Sequence, residues 1–334
     1  MIKNKIPVTI ITGFLGSGKT TLLNNIVKQF HHKKFAIIEN ECGDVGIDGD
    51  LILGESDAIF ELNNGCICCS LQDGFVNTIN KLLNSPHQFD HLLIETTGIA
   101  NPDSVIGTFI ATEAIQQKFV IDSVICVADA VNIEDFINDQ PEVRKQLALA
   151  DITLINKADS VQKSYLQDLQ QLIAAINPMS RIHKVSYSNI SEISILDNYY
   201  FTSEAIEQKT ADFPFANGLK LDTSQLLGRH DITAEGFLIS GDIDMEKFES
   251  WMKGFLFFNS HAVFRAKGIL STTESKQKLV FQSIGTSYQL EYGKAWSNEQ
   301  HFNKFIFIGK YIDREMIESS LMQTLVNPIP VNQQ

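Results

Sequence analysis

The octet Gly13-Phe-Leu-Gly-Ser-Gly-Lys19-Thr20 fits G-x-x-x-x-G-K-[ST], and it falls between the apolar run Val8–Ile11 and a segment carrying Leu22, Leu23 and Ile26. A buried strand feeding a helix through a glycine-rich loop is a unit of parallel α/β architecture. Its chemistry is equally constrained. Gly13, Gly16, Ser17, Gly18, Lys19, Thr20 and Thr21 are candidate nucleotide-binding residues, because backbone N–H groups at a helix N-terminus converge on phosphate oxygens. Lys19 is placed to reach the β- and γ-phosphates, and the Thr20 hydroxyl to ligate Mg²⁺. An ordinary glycine-rich turn would not need strand, loop and helix in this register.

Further short apolar runs alternate with amphipathic segments. Strands are expected at Val8–Ile11, Phe35–Glu39, Ile59–Leu62, Leu92–Glu95, Ser123–Asp129, Thr153–Asn156 and Arg181–Val185, with helices beginning after Gly18, Ser70, Pro102 and Val161. The expected fold is therefore α/β, a P-loop NTPase with a mostly parallel sheet over residues 1–201. Residues 202–230 have weak periodicity and the turn formers Pro214, Asn217 and Gly218, and are taken as a connecting segment. A smaller α+β domain occupies 231–327, with strands expected at Ala234–Ser240, Leu279–Ile284 and Phe305–Ile308 and helices at Asp244–Phe258 and Asp313–Leu325.

A chain of 334 residues carrying a net charge of −13 is poorly suited to general attraction toward nucleic acid or an anionic membrane. No apolar stretch approaches the roughly 20 residues of a membrane helix. Five cysteines, three of them at Cys66, Cys68 and Cys69, do not read as a disulfide framework, and the expected setting is the reducing cytoplasm.

Three further motifs carry chemistry. Asn156-Lys157-Ala-Asp159 places N-K-x-D at the end of an expected strand, where α/β sheets present ligands. Asp159 can accept both the N1–H and the N2 amino protons of guanine, whereas adenine offers an acceptor at the matching ring nitrogen; Asn156 would brace the loop and Lys157 lie over the base. Standing alone, the same residues would serve as a helix cap. Glu95-Thr-Thr-Gly98 ends an apolar strand with an acid suited to hold Mg²⁺ or its water shell, and with a glycine free to swing toward a γ-phosphate, making Lys19, Glu95 and Gly98 the candidate catalytic set. An acid capping the next turn is the plainer alternative for Glu95. In Gly65-Cys66-Ile-Cys68-Cys69 an extended segment projects Cys66 and Cys68 to one side, and Cys69 can join them if the chain turns into the helix after Ser70, enough thiols to hold a soft cation, with Glu41 and Cys42 as candidate further ligands; a buried cysteine cluster or a redox thiol is the competing reading.

In this order, Gly13–Thr20, Gly65–Cys69, Glu95–Gly98 and Asn156–Asp159 resemble the CobW-type P-loop GTPases, a family related to the UreG and HypB nickel-insertion GTPases. Phe264-Arg-Ala-Lys-Gly268, Phe281-Gln-Ser-Ile-Gly285, Trp296 and Phe305-Ile-Phe-Ile-Gly309 are similar to the family's smaller domain. The resemblance implies GTP hydrolysis coupled to delivery of Zn²⁺ or, in some members, Co²⁺ or another transition metal such as Ni²⁺, to a client metalloprotein; the sequence leaves the oligomeric state open, a nucleotide- or metal-dependent homodimer among the options. A nucleotide-regulated metal buffer or thiol sensor and a P-loop phosphotransferase are the competing functions. Three features depart from the family pattern: only His230 stands where many relatives carry a histidine-rich stretch, Cys42 replaces an aromatic residue, and Asn101-Pro102 replaces Asp-Pro.

Overall fold

All seven strands expected in the first unit form, and every pairing among them is parallel. The computed structural model describes residues 5–39, 59–63, 71–98, 102–213, 215, 232–297 and 301–328. In chain order the unit runs β1 (Ile6–Thr12), α1 (Lys19–Gln29), β2 (Phe35–Glu39), β3 (Ile59–Asn63), α2 (Leu71–Leu83), β4 (His91–Glu95), α3 (Pro102–Ala111), α4 (Glu113–Gln116), β5 (Phe119–Asp129), α5 (Ile133–Asp139), α6 (Pro141–Leu149), β6 (Ile152–Asn156), α7 (Lys163–Ile176) and β7 (Arg181–Lys184). The strand order is β3-β2-β4-β1-β5-β6-β7. Helices cover both faces of such a sheet, which is why β1, β5 and β6 are buried almost throughout and are mostly apolar.

The register fixes one end of the sheet. Asn63 lies opposite Glu39, Glu39 opposite Glu95, and Glu95 opposite Ile11. The carboxyl ends of β3, β2, β4 and β1 therefore form one edge, and the glycine-rich loop leaves from it.

The second unit begins after α8 (Ser203–Asp212) and comprises β8 (Ile232–Ser240), α9 (Met245–Asn259), β9 (Val263–Leu270), β10 (Gln277–Ile284), β11 (Ser287–Ala295), β12 (Phe302–Lys310) and α10 (Arg314–Met322). Its antiparallel sheet has the order β11-β10-β9-β12-β8. Its core is aromatic: Phe248 meets Phe281 edge-on at 5.7 Å between ring centroids, and Phe255 meets Phe307 at 5.6 Å.

Several elements were not anticipated. Strand β9 is buried throughout, yet Arg265 and Lys267 interrupt its apolar pattern. Helix α8 falls in the expected connecting segment; it buries only Ile206 and Thr210, too little to show periodicity, and is started by the Thr202 hydroxyl accepting from Ala205 N. Helices α5 and α6 also went unrecognised, as did β11, which is half-exposed along its length.

The two units meet around a single buried carboxylate. Asp151, at the start of β6, lies 2.8 Å from Arg265 Nη2 and 3.6 Å from both Lys209 Nζ and Lys267 Nζ. Burial alone would raise the Asp151 pKa; Arg265, Lys267 and Lys209 overcome it and hold the carboxyl well below the ordinary range. Arg265 also donates to the Leu149 carbonyl at 2.6 Å, so β9 grips the end of α6. Among the described residues, no helix is long and apolar enough to cross a membrane.

Candidate functional site

The loop between β1 and α1 holds Gly18 in the left-handed region at φ 107, and a Cβ there would strike the Asn156 amide. Only glycine allows the backbone this close to the neighbouring loop. Ser17 N donates to the Phe14 carbonyl at 3.2 Å, and Lys19 Nζ crosses the loop to the same carbonyl at 3.3 Å. Burial pulls the Lys19 pKa down, against the opposing pull of Glu95. The N-terminus of α1 thus opens on an arc of backbone N–H groups, with an ammonium group beside it.

Thr20 Oγ1 donates to Glu95 Oε1 at 3.1 Å, so the structure joins the two residues expected at Mg²⁺. A hydroxyl and a carboxylate at a phosphate-binding loop are hard oxygen donors, a set that fits that ion. Gly98, three residues on, packs so closely on the loop that a Cβ would sit 2.5 Å from Leu15 N. Lys19, Glu95 and Gly98 therefore converge on one end of α1.

Asn156 ties the end of β6 to the glycine-rich loop and to the segment after β7. Its Nδ2 donates to the Ser17 carbonyl at 2.8 Å, and its Oδ1 accepts from Ser188 N at 2.9 Å. Lys157 adopts left-handed backbone at φ 60, and its Nζ lies 2.8 Å from Asp129 Oδ2. Burial pushes the Asp129 pKa up, but hydrogen bonds from Lys157 and Asn132 bring it below the ordinary value. Asp159 is exposed, and its backbone N–H donates to Ser186 Oγ at 3.2 Å.

The segment Ser186–Ser188 was not legible as part of the site. Ser188 Oγ donates to the Gly18 carbonyl at 3.0 Å, while Asn25 Nδ2 donates to the carbonyls of Tyr187 and Ser188 at 3.0 and 2.9 Å. Asp129 escaped as well. Both lie at or just past the carboxyl ends of strands, β7 and β5, which is the signal that would have found them. Clefts of about 430 and 940 Å³ lie elsewhere, beside α8 and the second sheet, and neither contains the phosphate cradle.

Glu41, Cys42, Cys66, Cys68 and Cys69 lie outside the described residues. Cys126 is buried in β5, where burial pushes its thiol up to about 12, as befits a core residue. Among the described residues, no group of three or more His, Cys, Asp or Glu side chains is arranged to hold a metal.

Comparisons with known proteins match this arrangement along nearly the whole chain. Residues 7–184 match the CobW/HypB/UreG nucleotide-binding domain, and 236–325 match the cobalamin synthesis protein cobW C-terminal domain. The zinc chaperone YjiA of Escherichia coli is 31% identical over 95% of this chain and 98% of its own. The zinc-regulated GTPase metalloprotein activator 1 of Schizosaccharomyces pombe is 28% identical over 92% of this chain and 83% of its own. The crystal structure of Zn(II)-bound YjiA GTPase from E. coli superposes with a TM-score of 0.69 at 26% identity, covering 96% of this chain and 99% of that one. A YjiA triple mutant in which one glutamate and two cysteines are changed to alanine has also been crystallised with Zn(II) bound. The chain belongs to the CobW/HypB/UreG family and is a GTPase that carries the CobW C-terminal domain.

Proposed function

We propose that the chain is a GTP-dependent metallochaperone that binds Zn²⁺ through the thiolates of Cys66, Cys68 and Cys69, with Glu41 and Cys42 as further candidate ligands, and passes the ion to a client metalloprotein. The observation that carries this reading is the register of three strand ends. Asn63, Glu39 and Glu95 lie side by side on adjacent parallel strands, about 4.8 Å apart from one strand to the next. Cys66 is three residues beyond Asn63, and Cys42 three beyond Glu39, so chain length alone keeps the Cα of each within about 11 Å of an edge that also carries Glu95 and its partner Thr20. A change at the γ-phosphate is thereby adjacent to the segments proposed to hold the ion. The names of the zinc chaperone and zinc-regulated relatives support the choice of metal.

In this reading the N–H groups from Gly13 to Thr21 cradle the phosphates, with Lys19 on the β- and γ-oxygens, and Gly98 contacts the γ-phosphate. Asn156, Lys157 and Asp159 form the base site. Mg²⁺, held by Thr20 and Glu95, would supply positive charge between the β- and γ-phosphates. Asp159→Asn is expected to weaken GTP binding roughly 10–100-fold through loss of charge-assisted bonds, and to improve binding of xanthosine triphosphate, whose 2-oxo group meets the new amide donor. Nucleotide titration of the variant reads both; full retention of GTP affinity would remove Asp159 from the base site.

The metal assignment is tested with Co²⁺. Because a relative altered at two cysteines still holds zinc in its crystal, total metal uptake is a poor readout, whereas thiolate-to-cobalt charge transfer reports sulfur ligation alone. The band is expected in the parent chain and absent in Cys66→Ser/Cys68→Ser, with proton release on binding, and Co²⁺ affinity should differ between the GTP-analogue and GDP states. Equal affinity in both states would favour the metal buffer.

A further inference from the structure

Gln146 is 1% exposed, on the face of α6 that also carries Val143 and Leu147. Its surroundings are mostly apolar: with Phe14, Val127, Ile133 and Phe136, and with Asp129 as the one charged residue, it lines a small enclosure beside the phosphate loop. A primary amide has no packing advantage there over leucine or methionine, and burying it is unfavourable unless it is hydrogen-bonded. The bond it makes crosses 48 residues of sequence: Nε2 donates to the Gly98 carbonyl at 3.0 Å. Since a carbonyl only accepts, the orientation of the amide at this contact is set by the chemistry.

Helix α6 also grips the start of α3, a few residues beyond Gly98. Lys145 Nζ lies 2.6 Å from Asp103 Oδ2 and 5.6 Å from the centroid of the Phe264 ring on β9. Leu149, one turn on, offers its carbonyl to Arg265 of β9. Helix α6 therefore holds both Gly98 and Asp103 and touches the second sheet at two points.

We propose that Gln146 is the positioning residue for Gly98: holding the Gly98 carbonyl from α6, it fixes the peptide that meets the γ-phosphate and passes occupancy of that position to the helix gripped by the second domain. The inference rests on the reading of Gly98 as the γ-phosphate contact. Gly98 is jammed against Leu15 on one side and bonded to Gln146 on the other, so any displacement toward the phosphate either carries the amide with it or strands it in a mostly apolar enclosure. Either outcome makes α6 sensitive to the third phosphate and indifferent to GDP.

Gln146→Met preserves length and volume and removes the donor. Its affinity for GDP is expected to stay within about twofold of the parent, while affinity for the β,γ-imido analogue of GTP falls about fivefold, the effect of one neutral hydrogen bond. Equal losses for the two nucleotides, as a purely structural role would give, or no loss for either, overturn the proposal. Should Gln146→Met fail to fold, Gln146→Asn, whose amide stops one methylene short, is expected to show the same selective loss. Gly98→Ala bears on the underlying reading: its Cβ presses on Leu15 and so displaces the glycine from its place, which should lower affinity for the analogue more than for GDP, and if the analogue's advantage over GDP survives, the role of Gly98 falls whatever Gln146 does. If Gln146 acts through Gly98, the double variant is no worse than Gly98→Ala alone; additive losses overturn the proposal.

Discussion

Single-turnover hydrolysis of GTP by the monomeric chain, supplied with Mg²⁺ but free of transition metal, is expected to run roughly 10³–10⁵ slower than in a GTPase supplied with an arginine finger. No arginine precedes Arg144 in the sequence. Arg144 lies on α6 two residues before Gln146, about 200° around the helix from the side that meets Gly98. Arg181 starts β7, at the amino end of a parallel strand and therefore at the opposite edge of the sheet from the phosphate loop. Arg181 is therefore not placed to neutralise charge developing on the transferred phosphoryl group, and Arg144 starts from the side of α6 away from Gly98. Lys19 and the acids Glu39 and Glu95 can orient reactants and metal, but only Lys19 adds positive charge. Under the proposed function, metal loading, dimerisation or the client would supply the missing charge or order, and adding each in turn to a single-turnover assay identifies the source. A rate of several per second from the unaided monomer would refute this account.

The second large effect concerns stability. Asp151→Ala is expected to lower the unfolding free energy by about 3–5 kcal/mol, because it leaves Arg265, Lys267 and Lys209 facing one another without a counter-charge. Urea denaturation reads this as a lower midpoint. Replacing Asp151, Arg265 and Lys267 together by apolar residues of similar volume should restore most of the loss, since a buried ion cluster as a whole contributes little beyond well-packed carbon. The pH dependence has a definite sign. Asp151 is held below its unfolded pKa, so its contribution is complete above about pH 4, the unfolded carboxylate value, and is lost as pH falls from there toward the folded value. Asp151→Ala should therefore flatten the acid side of the stability profile. A loss under about 1 kcal/mol, or an acid limb as steep as the parent's, would mean that the three cations have other compensation.

Much of this was legible in the sequence because the chemistry and the fold are written locally there. The glycine-rich octet, Glu95–Gly98 and Asn156–Asp159 each sit at the end of an apolar run, and a run buried on both faces needs no periodicity to be recognised. The features that escaped are long-range. Val263–Leu270 is a fully buried strand whose Arg265 and Lys267 are tolerable only because Asp151, more than a hundred residues earlier, meets them. Ser188 and Asp129 acquire roles through Gly18, Asn156 and Lys157 rather than through neighbours in sequence. Gln146 reads as an ordinary polar residue on a short helix until its partner, Gly98, is known.

The two bonds of Asn156, one to Ser17 and one to Ser188, bear on nucleotide exchange. A single side chain braces the phosphate loop against the segment after β7, with Gly18 and Asn25 closing the same circuit. Such a cradle is pre-organised: little ordering entropy is lost when nucleotide enters, and the scaffold need not relax when it leaves. If these loops take the base and the phosphates as proposed, exchange of GDP for GTP would proceed on a receptor whose walls keep their shape. Under the proposed function, discrimination between the two nucleotide states would fall to the chain that follows Glu39 and Glu95 in sequence, which includes Cys42 and Gly98, so that timing and cargo would share the same few residues.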